Sequence, residues 1–331
     1  MGEFLVRRSL KTLVTLFVVI TAVFLLTRIS GNPFEVEYRE EGLTPEMMQQ
    51  LEEYYGLNEP LWTQFLIYLR ELAKGNAGKS ITTYPGEPVT AIYWQAIQMT
   101  GKLIVWCFFV GILFGVMLGI IGAIRRNSAI GQAAMALACV GYAFPDFVIA
   151  IGLILIFSYN LGWFPSMGDA TPAHLVMPVF TLSIRSMAEI CRFTRSSMLD
   201  VMSQDYIRTA RGKGLSEKIV TYKHALRNSL IPVVTIFGTQ LSGLISGSVI
   251  VETVFARPGF GYTLITAVTA RDYPVVQFGI IIVAVIVIVI NLFVDILYSV
   301  IDPRIRTCLL YTSDAADDGS RGWLGGVRVM N

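Results

Sequence analysis

The sequence predicts an all-α, polytopic membrane protein with about six transmembrane helices, and three observations carry that prediction. The 331-residue chain is 54% hydrophobic and only 15% charged, whereas soluble domains are about a quarter charged. Its mean hydropathy is +0.59. Its apolar residues gather into runs close to the roughly 20 residues a helix needs to cross a bilayer core, whereas barrel strands would alternate over about ten.

The first run covers residues 10–27 behind Arg7, Arg8 and Lys11. It has the layout of a signal peptide, but no small-x-small cleavage pattern follows at residues 27–33, so an uncleaved anchor over residues 1–31 is expected. The second span is read over residues 100–124. The third, 144–159, contains Pro145 and Asp146; begun instead near Gln132, it becomes one helix with a proline kink. The remaining spans are read over 174–193, 229–255 and 278–301.

Loop charges give the orientation. The polar segment 191–227 has eight Lys/Arg against three acids, and Arg125–Arg126 and Arg304 with Arg306 follow the second and last spans. On the other side, residues 32–97 offer only Arg39, Arg70, Lys74 and Lys79 against ten acids. Positive loops stay inside, so both termini and the 191–227 segment are expected in the cytoplasm.

Residues 32–98 therefore form the one sizeable extracytoplasmic element, expected as a helical lid. Thr44 with Pro45 marks one helix start, and LWTQFLIYLRELA after Pro60 reads as a second, amphipathic helix. The lid either packs on the membrane face or helps receive a soluble partner. After Arg306 the chain turns acidic and glycine-rich without a periodic face, so residues 307–331 are expected to be disordered and foreign to the fold.

The chemistry of catalysis is missing. Cys107, Cys139, Cys191 and Cys308 have no disulfide or metal spacing, and His174 and His224 are the chain's two histidines. No metal, no cofactor and no nucleic-acid partner are expected. The segment AKGNAGKS, residues 73–80, imitates a phosphate-binding loop, but an amphipathic helix precedes it and a Thr/Pro/Gly stretch follows, where a strand and a helix are required. Ionisable residues inside spans are functional candidates. Arg185 and Glu189 share one face at i, i+4, and Asp295 lies in the last span; structural pairing and a role in a solute pathway both fit them.

The most informative stretch is DYIRTARGKGLSEKIVTYKHALRNSLIP, residues 205–232. It is basic and helical in pattern, is broken at Gly214 and Leu215, and restarts at Ser216–Glu217. It resembles the "EAA" loop of the membrane subunits of ABC importers. Ala210, Gly214 and Leu226 match that pattern, while Arg208 replaces its opening acid and Arg227 its proline. Those departures are the ones found in the dipeptide/oligopeptide/nickel permease branch, in the subtype with an N-terminal anchor and outer lid. DYIRTARGKGL, HALRNSLIP, SGSVIVETVFARPGFG, RDYPVVQ and NLFVDILYSVIDPRIR carry that resemblance across nearly all of residues 2–306.

The resemblance implies a type I ABC importer-like permease fold in a prokaryotic inner membrane, with a core over 99–306 and a coupling loop over 200–228. It implies four kinds of partner: a second homologous permease, two cytoplasmic ATPase subunits that use ATP and Mg, an extracytoplasmic substrate-binding protein, and membrane lipid. The coupling residues would be Asp205, Arg208, Ala210, Arg211, Lys213, Gly214, Leu215, Ser216, Glu217, His224 and Arg227. At the other end, Glu252, Phe255, Arg257, Pro258, Gly259, Gly261, Arg271 and Asp272 are expected to form a gate or a contact for the binding protein. The rival expectation is an ion-coupled secondary transporter that uses Arg185, Glu189 and Asp295.

Overall fold

The computed structural model describes residues 2–29 and 58–301, with side chains described except at 2–11, 293–301 and a few positions between 231 and 242. The first lid helix expected behind Thr44 and the 307–331 tail lie outside the described residues, as does the side chain of Asp295.

The described residues form helices α1 (Gly2–Ile29), α2 (Leu61–Ala73), α3 (Val89–Ile124), α4 (Ala129–Ala143), α5 (Asp146–Leu153), α6 (Val176–Met202), α7 (Asp205–Gly212), α8 (Glu217–Ile219), α9 (Leu226–Val254), α10 (Phe260–Thr269) and α11 (Tyr273–Ile301). Wide π-type turns extend α5 over Ile154–Asn160 and lead from α8 into α9 over Val220–Ala225. The one β contact among them is an isolated bridge between Lys79 and Pro88.

α1, α3 and α11 are long and apolar enough to cross a membrane, and α4 with α5 makes a fourth candidate as a bent pair. That pair corrects the kinked-helix expectation. Pro145 has no N–H and drives the preceding residue out of the helical region; Phe144 sits at ψ 137°, and the two helices meet at 104°. α6 runs to Met202, further into the polar segment than expected, and carries Arg185, Glu189, Arg192 and Arg195. α3 begins before its expected start, and its 36 residues span about 54 Å at 1.5 Å per residue, well beyond a core of about 30 Å. Its first turns hold Tyr93 and Ala96 in a small buried cluster with Phe260 and Val275.

The main contact pairs α3 with α6, and glycines permit it. A Cβ on Gly115 would stand 2.8 Å from Ile190 Cβ, and one on Gly119 2.6 Å from Thr194 Cβ. Gly111, Gly115 and Gly119 thus form a close-packing stripe of small residues. Gly243 behaves differently: nothing lies within 4 Å of its Cβ position. α2, the amphipathic helix expected after Pro60, packs Phe65 on Phe24 of α1 with ring centres 5.2 Å apart, beside Ile281 of α11.

Candidate functional site

Three constructions stand out, one at each end of α3 and one between them. At the Ile124 end of α3, α7 is amphipathic. Ile207 is fully buried and Ala210 nearly so, against Ala123, Met198, Val220 and Ala225. The helix ends in a Schellman turn: Gly214 N–H donates to the Arg211 carbonyl at 2.9 Å and Leu215 N–H to that of Ala210 at 3.4 Å. Gly214 has φ +78°, a left-handed conformation that favours glycine. Across the turn Arg211 makes a forked pair with Glu217, Nε to Oε1 at 2.7 Å and a second N–H to Oε2 at 3.3 Å. Ser216 holds the N-cap backbone position of α8 without a side-chain capping bond. Arg208, Lys213, Leu215, Lys218, Ile219 and Tyr222 are exposed around this turn.

At the opposite end two buried carboxylates tie loops together. Glu252 Oε1 accepts from the Thr100 hydroxyl at 2.5 Å, and Oε2 accepts from the Gly261 and Tyr262 N–H groups at 2.7 and 3.4 Å. Thr100 in turn accepts from Phe260 N–H at 2.7 Å. The carboxylate thereby caps the first turn of α10, where free amides and the helix dipole favour negative charge. Gly259 leaves room for this carboxylate, since a Cβ there would lie 2.4 Å from the Glu252 carboxyl carbon and would displace it.

The second carboxylate is Asp272, fully buried. Its oxygens accept from Ser80 Oγ at 2.5 Å and from the N–H groups of Ile81, Thr82 and Thr83 at 3.3, 3.2 and 2.9 Å. The GKS segment thus does gather amides around an anion, and the anion is the chain's own. Arg271 holds the left-handed residue after α10 at φ 55°, with Asp272 N–H closing the turn on Ala267 O at 2.8 Å.

Between these ends α5, α6 and α9 line a half-open cavity of about 420 Å³ bounded by Asp146, Arg185, Ser186, Glu189, Gln240 and Gly243, among others, with Arg185 and Gly243 exposed. Gln240 donates to Glu189, and the Arg185 guanidinium lies 5.6 Å from the centre of the Tyr142 ring. The i, i+4 pairing expected between Arg185 and Glu189 is replaced by these contacts; among the described residues no ion pair within 4 Å joins them.

The family comparison decides what kind of protein contains these features. Residues 111–307 match the family described as binding-protein-dependent transport system inner membrane component, and residues 1–104 match its N-terminal family. The chain belongs to that family. A dipeptide transport system permease protein, DppB, of Alkalihalophilus pseudofirmus is 39% identical over 306 residues, spanning 84% of this chain and 91% of the relative. The glutathione transport system permease protein GsiC of Shigella flexneri is 38% identical, over 92% of this chain and 99% of the relative. Among solved structures, the MetNI methionine ABC transporter in an inward-facing conformation gives a TM-score of 0.55 at 17% identity, covering 66% of this chain and 99% of that one. At that identity the likeness shows the fold, a type I-like ABC importer permease fold.

This transport-system membrane component is therefore not the ion-coupled secondary transporter that Arg185, Glu189 and Asp295 allowed. Two site expectations also change. Ala210 packs beneath the permease's own loop, so it seats the turn and offers no surface to a partner. Glu252, Phe255, Arg257, Gly259, Gly261 and Asp272 are all buried, which removes them as contacts for a soluble protein in this state; Pro258 and Arg271 are the exposed members of that set. Sequence reasoning missed Ser80 and Thr100, the partners of the two carboxylates, and Asp146. The acids beside the turn sequences FARPGFG and RDYP were the available signal.

Proposed function

We propose that the chain is the permease subunit of an ATP-driven importer for di- and oligopeptides or similar small solutes. It forms a translocation path with a second homologous permease. Of two cytoplasmic ATPase subunits using ATP and Mg, one grips its α7–α8 turn and the other the matching turn of the second permease, and a substrate-binding protein delivers cargo from outside. Both termini face the cytoplasm in this reading, supported by the Lys/Arg excess of the 191–227 segment. The chain itself contributes no catalysis.

The carrying observation is the α7–α8 turn. Its inner side, Ile207 and Ala210, is locked to the ends of α3, α6 and α9. Its outer side presents Arg208, Arg211, Lys213 and Lys218 around the exposed apolar side chains of Leu215, Ile219 and Tyr222. An apolar centre inside a charged rim suits a protein cleft, where desolvated apolar contacts anchor and rim charges orient. Closure of the ATPases on ATP would displace this turn and rock the helices between outward- and inward-open arrangements. The names of the relatives support peptides as the cargo class.

The test is reconstitution of the four-part assembly in proteoliposomes with labelled dipeptide outside. Uptake is expected with ATP and to vanish when the ATPase subunits are omitted. Uptake that persists without them overturns the proposal.

A further inference from the structure

The cavity between α5, α6 and α9 gathers three charged side chains that form no ion pair within 4 Å among the described residues. Asp146 stands at the first position of α5, directly after the Pro145 break, and its Oδ2 lies 3.4 Å from the Cβ position of Gly247 on α9. Arg185 lines the same cavity, and among the described residues no ion pair within 4 Å joins it to Asp146. Among the described residues Glu189 accepts a hydrogen bond from the neutral amide of Gln240 and forms no ion pair within 4 Å. Charges without an ion-pair partner are costly inside a bilayer, and they persist there where they face a cavity and a ligand.

The walls suit an occupant. The volume of about 420 Å³ falls within the roughly 300–1,000 Å³ of small-molecule sites. Gly243 has open space where a side chain would begin, so α9 keeps the room clear. A planar guanidinium binds carboxylates bidentately, while Asp146 and Glu189 can each accept an ammonium. Two acids and one arginine around one chamber match a ligand that carries both signs of charge.

We propose that this cavity is a binding site for the free ends of a zwitterionic peptide, with Arg185 receiving the terminal carboxylate and Asp146 with Glu189 the terminal ammonium. The inference rests on the peptide-importer reading for its cargo, and it adds a recognition step inside the permease, after release from the binding protein. Side chains between the two ends meet Leu182, Leu244 and Ile250, which demand no particular residue type. The site therefore reads the termini of the cargo.

The experiment uses the complete complex with Gly243→Cys, and in parallel Ser246→Cys as a second wall position, in a background with Cys139 and Cys308 replaced by Ser. Co-purification of all subunits establishes assembly. A methanethiosulfonate reagent labels the new thiol in the presence of millimolar dialanine, or of dialanine blocked as N-acetyl and C-amide. Dialanine is expected to slow labelling at least fivefold and the doubly blocked peptide to have no effect. Asp146→Asn and Arg185→Gln are each expected to abolish the protection. Equal protection by the blocked peptide, or no protection at either position, overturns the proposal. Dipeptide uptake by the unaltered complex is measured alongside. Uptake without protection rejects this cavity and leaves the importer reading standing; protection without uptake supports the cavity and rejects that reading.

Discussion

Asp272 and Ser80 are 192 positions apart in sequence, and the serine hydroxyl donates to the aspartate at 2.5 Å in a nest where both of these side chains are buried. The nest joins the segment between α2 and α3 to the turn between α10 and α11. The amides of Ile81, Thr82 and Thr83 complete it, so the carboxylate holds four donors at once.

Asp272→Ala leaves the buried Ser80 hydroxyl and the half-buried amides of Ile81, Thr82 and Thr83 without this acceptor. Losing hydrogen bonds to a charged group costs about 1.5–3 kcal/mol each before relaxation, so the segment should open well before the helices do. Trypsin cleavage after the exposed Lys79 should accelerate at least tenfold, read as the rate of appearance of the two fragments. Unchanged cleavage would show that the bridge at Lys79 and Pro88 holds the segment by itself.

Gly259→Ala places a methyl against the Glu252 carboxylate, with Cβ 2.4 Å from its carboxyl carbon. Overpacking of this kind costs about 1–3 kcal/mol, and here it also pushes the carboxylate off the first amides of α10. The detergent-solubilised permease should lose several degrees in thermal midpoint, while Pro258→Ala at the exposed neighbour should lose little. Equal losses at both positions would deny the cap its stabilising role.

Gly119→Ala acts at the α3–α6 contact, where the new Cβ meets Thr194 Cβ at 2.6 Å and the Cys191 carbonyl at 2.8 Å. Backbone cannot yield as a flexible side chain can, so the expected cost is about 1–3 kcal/mol. Gly243→Ala, facing open space, should be neutral to stability. Thermal melts of the two variants side by side check the contrast.

Gly214→Val forces a β-branched residue to φ near +78°, at about 1–2 kcal/mol or more. The Schellman turn should rearrange and shift Leu215 and Ile219 on the docking face. ATPase subunits should co-purify at a small fraction of the normal ratio, and Gly214→Asn should restore part of it, because asparagine tolerates the left-handed region. Full recovery of the ATPases with valine would separate this turn from docking.

The helices were legible because burial in lipid demands long apolar runs, and the turn at Gly214 because glycine after a basic helical stretch has few other uses. The 104° break was half legible: Pro145 announces an interruption, but its angle depends on what α4 and α5 pack against. Gly243 and Gly119 are both glycines in apolar helices, and only the facing neighbour tells a cavity wall from a packing seat. The partners Ser80 and Thr100 left no local trace, since each belongs to a contact made across more than 150 residues of chain. Buried Glu252 and Asp272 read as accessible loop residues for the same reason. Nothing beside them in sequence says which distant amides will surround them.

Ile207 sits in a socket formed by Ala123, Met198, Val220 and Ala225, which lie on α3, on α6 and on the wide turn that feeds α9. Further along their lengths, two of those same rods supply Arg185 and Glu189 on one wall and Gln240 and Gly243 on the other. A tilt imposed at the socket would reach the cavity along α6, and along α9 across Pro232 inside that helix, and would change the spacing of the opposed charges.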